Sequence, residues 1–378
     1  MRKIKILIFF LLSFYVSLSI LSNNIYELKK ETKRLNLLSK VYNKNFTYTD
    51  IYGIPVICYH HIVSDNWESK EKNIFHLTKN QFQMQINWLK ENGYATITLN
   101  EFNKYLNKES VKLPEKPILI TFDDGRKNFF TNAKPVLDSA QYKAVLFIYP
   151  NPININHDSF LTWQQIQTLY NEGHDIQSHT YTHPLLDRMS LSSQSKEFQL
   201  SKKTIEQKLN SNVQWLAYPF GAYNADTKNE LKKADYEGAF TVFSGSNFPG
   251  EDKYSLKRIL ITSNLSISNL KNKIMTSNLS FLSIEPEEGS NIYDKKVIRV
   301  KLEKNLEFNN LRVEAGSDFV YNNLPAFFNY NKNTGDLTVL LSRPKKSRVV
   351  LTVFYKNIDG LVSQNTILYS SFKPPFIS

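Results

Sequence analysis

Cysteine is almost missing. Cys58 is the one thiol in 378 residues, so no disulfide can form within the chain and no four-cysteine zinc site can brace it. The thiol count leaves the redox compartment undecided. Histidine is scarce and unevenly placed: there are seven, and none follows His183. Clusters of basic charge are lacking too, although 47 Lys and Arg against 35 Asp and Glu give a net charge of +12. Cations scattered in this way lend little support to nucleic-acid binding, and no nucleic-acid partner is expected. A hydrophobic share of 41% excludes wholesale disorder, and the length suits one large folded unit plus a smaller one.

The longest apolar run stands at the start. Arg2, Lys3 and Lys5 precede the stretch from Ile6 to Leu21, the pattern of an export signal. The run is close to the roughly 18 residues that span a bilayer. Ser17, Ser19 and Ser22 offer small residues to a peptidase, so cleavage and retention as a membrane anchor both stay open. Either way the rest of the chain is expected outside the cytoplasm, whether secreted, periplasmic or at the cell surface. Residues 1–22 are therefore read as signal or anchor. Residues 23–53 are Lys-rich, with Leu28, Leu35 and Leu38 too sparse for a core, and are read as a spacer.

Folding is expected to begin at Ile54. The strand Ile54 to Tyr59 ends in His60-His61, and a helix from Thr78 to Asn92 carries a capping box, Thr78 with Gln81. Strands are then expected at Ile118–Phe122, Ala144–Tyr149, His174–Ser178, Val213–Tyr218 and Gly238–Val242. Between them fall helix patterns at Lys127–Ser139, Thr162–Asn171, Ser192–Leu209 and Ala225–Ala234. Such alternation predicts an α/β unit over residues 54–276 with parallel strands covered by helices, a (β/α) barrel rather than an open sheet because polar groups recur at the strand ends. From residue 277 to 378 the texture is β alone, with a hairpin turn at Asn333–Asp336, which predicts a small sandwich.

Three strand ends carry chemistry. The first is Thr121-Phe122-Asp123-Asp124-Gly125, where the break in alternation at the junction lets both carboxylates face one pocket. The second is His179-Thr180-Tyr181-Thr182-His183, two imidazoles four residues apart, a spacing that suits one divalent cation if a carboxylate joins them. The third is Tyr218-Pro219-Phe220-Gly221-Ala222-Tyr223, a turn whose aromatics offer a wall for sugar rings, or else ordinary core rings.

In this order the three stretches resemble the motifs of the polysaccharide deacetylases with a NodB-homology domain, carbohydrate esterase family 4, over residues 54 to 265. The resemblance implies a distorted seven-stranded barrel and hydrolysis of N-acetyl groups. It implies Asp123 as general base and Asp124, His179 and His183 as ligands of a divalent metal, which zinc, cobalt, nickel or iron would each suit. It places Tyr218, Pro219, Phe220, Gly221 and Tyr223 at the substrate, with backbone N–H groups near Tyr223 assisting.

Two departures from the family pattern matter. The Arg that commonly precedes the third motif is replaced by Ala217, and the late Leu-x-His motif that supplies the acid has no counterpart. A permuted subgroup, the deacetylases of biofilm poly-β-1,6-N-acetylglucosamine, instead carries a Tyr-His motif on its first strand, which Tyr59-His60 resembles. His60 is then the expected acid, with His61 in competition. Arg258, grouped here with the substrate-binding residues, can replace the missing Arg or be a surface cation on the last strand.

The expected function is metal-dependent deacetylation of an N-acetylglucosamine polymer, the β-1,6-linked one first. Peptidoglycan or a chitin-like β-1,4 polymer is the alternative, and a non-catalytic carbohydrate-binding surface protein is the alternative of another class. Expected partners are the polysaccharide, a membrane if the apolar start is retained, and other proteins of exopolysaccharide synthesis or export. In the β region Tyr321, Phe327, Phe328 and Tyr330 are candidates for sugar stacking or for core and turn positions.

Overall fold

The apolar stretch around Ile118–Phe122 forms a longer strand than its composition announces, Lys116–Asp124, buried at every position. It lies between Ile54–Tyr59 and Val145–Ile148, both parallel to it. The same computed structural model continues the sheet in parallel through Asp175–Ser178, Trp215–Ala217 and Gly238–Phe240, and adds Ser246–Asn247 antiparallel on the far side of Ile54–Tyr59. It describes residues 47–67, 73–279, 281–292, 297–304, 306–316, 323–324, 326–341, 348–357 and 362–370. The signal or anchor, most of the spacer and Tyr321 lie outside these.

The sheet curls until its edges nearly meet. Phe240 bridges to Leu256, and immediately after Arg258 the strand Ile259–Leu260 pairs in parallel with Ile57 and Cys58. Small and large apolar side chains, among them Val56, Leu119, Phe147, Ala217 and Phe240, fill the concave side, and a second core lies between the strands and their helices. The expected barrel is thus a curled half-barrel with a seven-strand main path.

The helix Lys79–Glu91 begins at Thr78, whose hydroxyl accepts from Gln81 N while the Gln81 side chain accepts from Thr78 N. Its Phe82, Ile86 and Leu89 are fully buried, as the helical spacing requires.

Among the described residues one further element precedes Ile54. The helix Tyr48–Tyr52, capped by Thr47, buries Tyr48, Ile51 and Tyr52, and the Tyr48 hydroxyl lies 2.9 Å from that of Tyr94. Aromatic anchoring, not aliphatic density, builds this contact, which is why a search for Leu-rich spacing passes over it.

The C-terminal region forms two antiparallel-dominated sheets, one built on Leu311–Gly316, Arg348–Lys356 and Val362–Ser370, the other on Val297–Lys301, Asp336–Leu341 and Ala326–Asn331. Ile298, Val300, Leu337 and Val339 of one sheet share a core with Val349, Leu351 and Val353 of the other. The expected turn at Asn333–Asp336 links paired strands. Among the described residues no helix is long and apolar enough to cross a membrane.

Candidate active site

The strand Lys116–Asp124 ends in a reversal. Asp124 takes a left-handed backbone, φ 76°, and Gly125 follows at φ 72°; a Cβ on Gly125 would stand 2.9 Å from Ile148 Cγ2. Asp tolerates this region better than most residues, and Gly is the residue that fits after it. The twist brings the two carboxylates to one pocket. His179 Nε2 lies 3.9 Å from Asp123 Oδ2 and 3.8 Å from Asp124 Oδ1.

His179 and His183 sit on the loop after the strand Asp175–Ser178, with Thr180 and His183 also left-handed at φ 65° and 63°. His183 N donates to Thr180 Oγ1, and the Glu197 carboxylate, from the helix Leu191–Leu209, accepts from Tyr181 N, Thr182 N and the Thr182 hydroxyl at 2.7 to 2.8 Å. His183 Nε2 is thereby held 3.6 Å from Asp124 Oδ1. His179 Nδ1 lies 2.7 Å from Ala217 O; because a carbonyl only accepts, Nδ1 carries the hydrogen and Nε2 offers a lone pair.

One oxygen and two nitrogens, from Asp124, His179 and His183, lie within 4.8 Å of one another. Bonds of about 2.0 to 2.2 Å in a tetrahedral site put donors roughly 3.3 to 3.6 Å apart, close to the spacings here. Burial, then His179, pushes the His183 imidazole down to about 3, so it is neutral and free to donate its lone pair. The donor set fits a divalent cation, and nitrogen with oxygen ligands leaves the choice of transition metal open.

Asp123 is held differently. Arg258 grips it with both arms, Nη1 to Oδ1 at 2.6 Å and Nη2 to Oδ2 at 2.7 Å, while Arg258 Nε donates to Thr241 O at 2.7 Å. Arg258 is fully buried. The surface-cation alternative therefore fails, and so does its grouping with substrate-binding residues: its fork is spent on Asp123. The barrel-closing segment Leu256–Leu260 turns this side chain inward, opposite the strand that delivers Asp123. Burial alone would raise the Asp123 carboxyl, but Arg258 outweighs it and keeps the group far below the usual carboxylate range. The thiol of Cys58, 3.5 Å from Asp123 Oδ2, completes the shell.

His60 and His61 face different acids. His60 Nε2 lies 4.0 Å from Asp123 Oδ2, its ring stacked on Phe75. His61 Nε2 lies 3.9 Å from Asp124 Oδ2, the oxygen that Arg126 Nε also approaches at 3.3 Å. Burial, then Arg126, pushes His61 down to about 4. Burial also lowers His60, opposed by Asp123 and Asp124.

The third motif is split between core and surface. Tyr218 and Tyr223 are fully buried and stacked on each other at 4.7 Å, their hydroxyls donating to Tyr254 O and Glu288 Oε1. They offer no wall to a sugar, and the alternative of core rings is the right one. Pro219 and Gly221 are buried turn residues, and Phe220, left-handed at φ 57°, is the ring that emerges, 46% exposed and 4.6 Å from the His183 ring.

Cys58, Arg126 and Glu197 escape a motif-based reading. Arg126 stands directly after the first motif and was legible as its flank. Glu197 carries no local signal: its helix position is unremarkable, and only the fold brings its carboxylate to the loop.

A family model described as polysaccharide deacetylase matches residues 110–239. The poly-β-1,6-N-acetyl-D-glucosamine N-deacetylase of Staphylococcus epidermidis is 32% identical over 206 residues, 51% of this chain and 71% of that one. Among solved structures, the Streptococcus pyogenes deacetylase PplD in complex with acetate superimposes with a TM-score of 0.55 at 28% identity, over 58% of this chain and 97% of that one. IcaB from Ammonifex degensii shares the fold, with a TM-score of 0.52 at 22% identity over 58% and 96%. The chain belongs to the polysaccharide deacetylase family and is an enzyme of that class.

Proposed function

We propose that this enzyme is a metal-dependent hydrolase that removes acetyl groups from an N-acetylglucosamine polymer outside the cytoplasm, the β-1,6-linked polymer in particular. The observation that carries the reading is the division of two adjacent carboxylates, Asp124 beside two imidazole nitrogens and Asp123 in the fork of Arg258. The naming of the S. epidermidis relative supports the β-1,6 linkage, and the basic start followed by the apolar run at 6–21 supports export.

Asp124, His179 and His183 would hold the cation. When bound, it supplies an electrophile for the acetyl carbonyl oxygen and lowers the pKa of the attacking water. Asp123, ionised and oriented by Arg258, accepts the proton of that water as oxygen bonds to the carbonyl carbon. Burial lowers the pKa of the His60 imidazole against the pull of Asp123 and Asp124, which favours its neutral form. The proton therefore passes from Asp123 across the 4.0 Å gap to His60 and on to the departing amine as the carbon–nitrogen bond breaks. Acetate and a free amine on the polymer result. His61 faces the outer oxygen of Asp124, which favours His60 for the acid role. The exposed ring of Phe220 would rest on the sugar bearing the acetyl group.

The test is acetate release from β-1,6 and β-1,4 N-acetylglucosamine oligomers by chelator-stripped and metal-reloaded protein. The expected outcome is release that needs metal, favours β-1,6 oligomers and falls by at least about 10³-fold in His179→Ala. Metal-independent release would refute the cation's role, and preference for β-1,4 oligomers would refute the linkage.

A further inference from the structure

Three residues of two active-site loops, Thr180, His183 and Phe220, adopt left-handed backbones. Each such non-glycine residue is strained and persists only where surrounding contacts fix it. Glu197 fixes part of the first loop from within the α/β unit. Further contacts come from the C-terminal β unit, which lies beyond the family match and has no role in the chemistry described above.

Arg348, the first residue of the strand Arg348–Lys356, lies with Nε 2.9 Å from Asp187 Oδ2, and neither side chain is more than 4% exposed. Asp187 sits on the short turn Leu186–Arg188, four residues after His183. At the other loop, Glu288 accepts from the Tyr223 hydroxyl at 2.7 Å and from Lys228 Nζ at 3.0 Å. Gly289 lies so close to the start of the helix Ala225–Lys233 that a Cβ would meet Ala225 N at 2.9 Å. The segment carrying Glu288 is itself tied to the last described strand, Gly289 N donating to Leu368 O and the Tyr369 hydroxyl to Pro286 O.

These anchors converge. Arg348 pairs in register with Ser370, so Leu368 and Tyr369 stand at the same corner of the β unit as Arg348. Leu368 and Val350 pack into the core of the α/β unit rather than into that of the sandwich. One corner of the β unit thus meets both strained loops.

We propose that the C-terminal β unit clamps the active site, with Arg348 a positioning residue for the loop that carries His183 and Glu288 a positioning residue for the turn that carries Phe220. Its kinetic consequences rest on the metal-dependent reading above, whereas its effect on loop order does not. Arg348→Gln removes the cation 2.9 Å from the buried Asp187 carboxylate, leaving Arg188 as the cation beside it, and loosens the His183 loop. Glu288→Ala frees the Tyr223 hydroxyl, leaves Lys228 with Asp252 as its acidic partner, and loosens the Phe220 turn.

The experiment uses the full chain and measures hydrogen–deuterium exchange over residues 179–188 and 217–224, zinc affinity by chelator competition, and kcat and KM on acetylglucosamine oligomers. For Arg348→Gln, faster exchange confined to 179–188 and zinc binding weaker by about 10-fold are expected. For Glu288→Ala, faster exchange confined to 217–224 and a KM higher by about 5-fold are expected, with zinc affinity kept. Arg348→Lys, which keeps the charge, should recover part of both losses and serves as the informative variant if Arg348→Gln does not fold. Unchanged exchange in both loops, or an equal rise across the whole molecule, would overturn the clamp. Wild-type protein that neither binds zinc nor releases acetate would overturn the metal-dependent reading while leaving the exchange result to judge the clamp.

Discussion

Arg258 and Asp123 are 135 residues apart and share two hydrogen bonds in a fully buried setting. A pair of this kind adds little net stability over apolar residues of the same shape, but removing one partner strands the other charge at a cost of about 3 to 5 kcal/mol. Arg258→Leu should therefore lose about that much in urea unfolding, with Arg258→Lys in between because it keeps the charge without the fork. A change within about 0.5 kcal/mol, as expected of a surface cation, would remove Arg258 from the site. The sequence offered Arg258 as a replacement for the missing arginine but left a surface cation equally open. Local sequence around Arg258 is that of any strand end, and its inward direction follows from the closing segment's place in the sheet, which no short window of sequence contains.

At the scale of elements, the site consists of strand ends that stop abruptly. Asp124 takes a left-handed backbone as its strand ends, and Thr180, His183 and Phe220 do so within the loops that follow the strands Asp175–Ser178 and Trp215–Ala217. The strands were legible because their apolar runs are bounded by Pro, Gly and polar residues, and the helix at Lys79–Glu91 because its capping box is local. Burial within the third motif was not legible: Tyr218 and Tyr223 look like Phe220 in sequence, and packing against Tyr254 and Glu288 decides which ring faces solvent. The strain at Phe220 makes a sharp prediction. Phe220→Gly should be more stable than Phe220→Ala by about 1 kcal/mol, the reverse of the usual order, since glycine accepts φ 57° without a Cβ clash. Both variants should raise KM for oligomers by about 5-fold through loss of the exposed ring. Denaturant midpoints and initial rates check the two halves, and alanine as the more stable variant would deny the strain.

At the scale of the whole molecule, a curled α/β sheet gathers residues from five separated stretches, at 58–61, 121–126, 179–183, 217–223 and 258, and a β sandwich braces two of them from outside. The first unit could be anticipated from alternating strands and helices and from motifs in order. The second could be anticipated as β structure but not as a clamp, because Arg348, Asp187 and Glu288 are ordinary charges until the units meet. The central claim is that two adjacent aspartates do different work, and the most direct measurement is the number of divalent cations bound per chain in Asp123→Asn and Asp124→Ala, counted by elemental analysis after metal loading and dialysis. One cation is expected in Asp123→Asn, with acetate release abolished, and none in Asp124→Ala. Equal occupancy of the two variants, whether kept or lost, would contradict it.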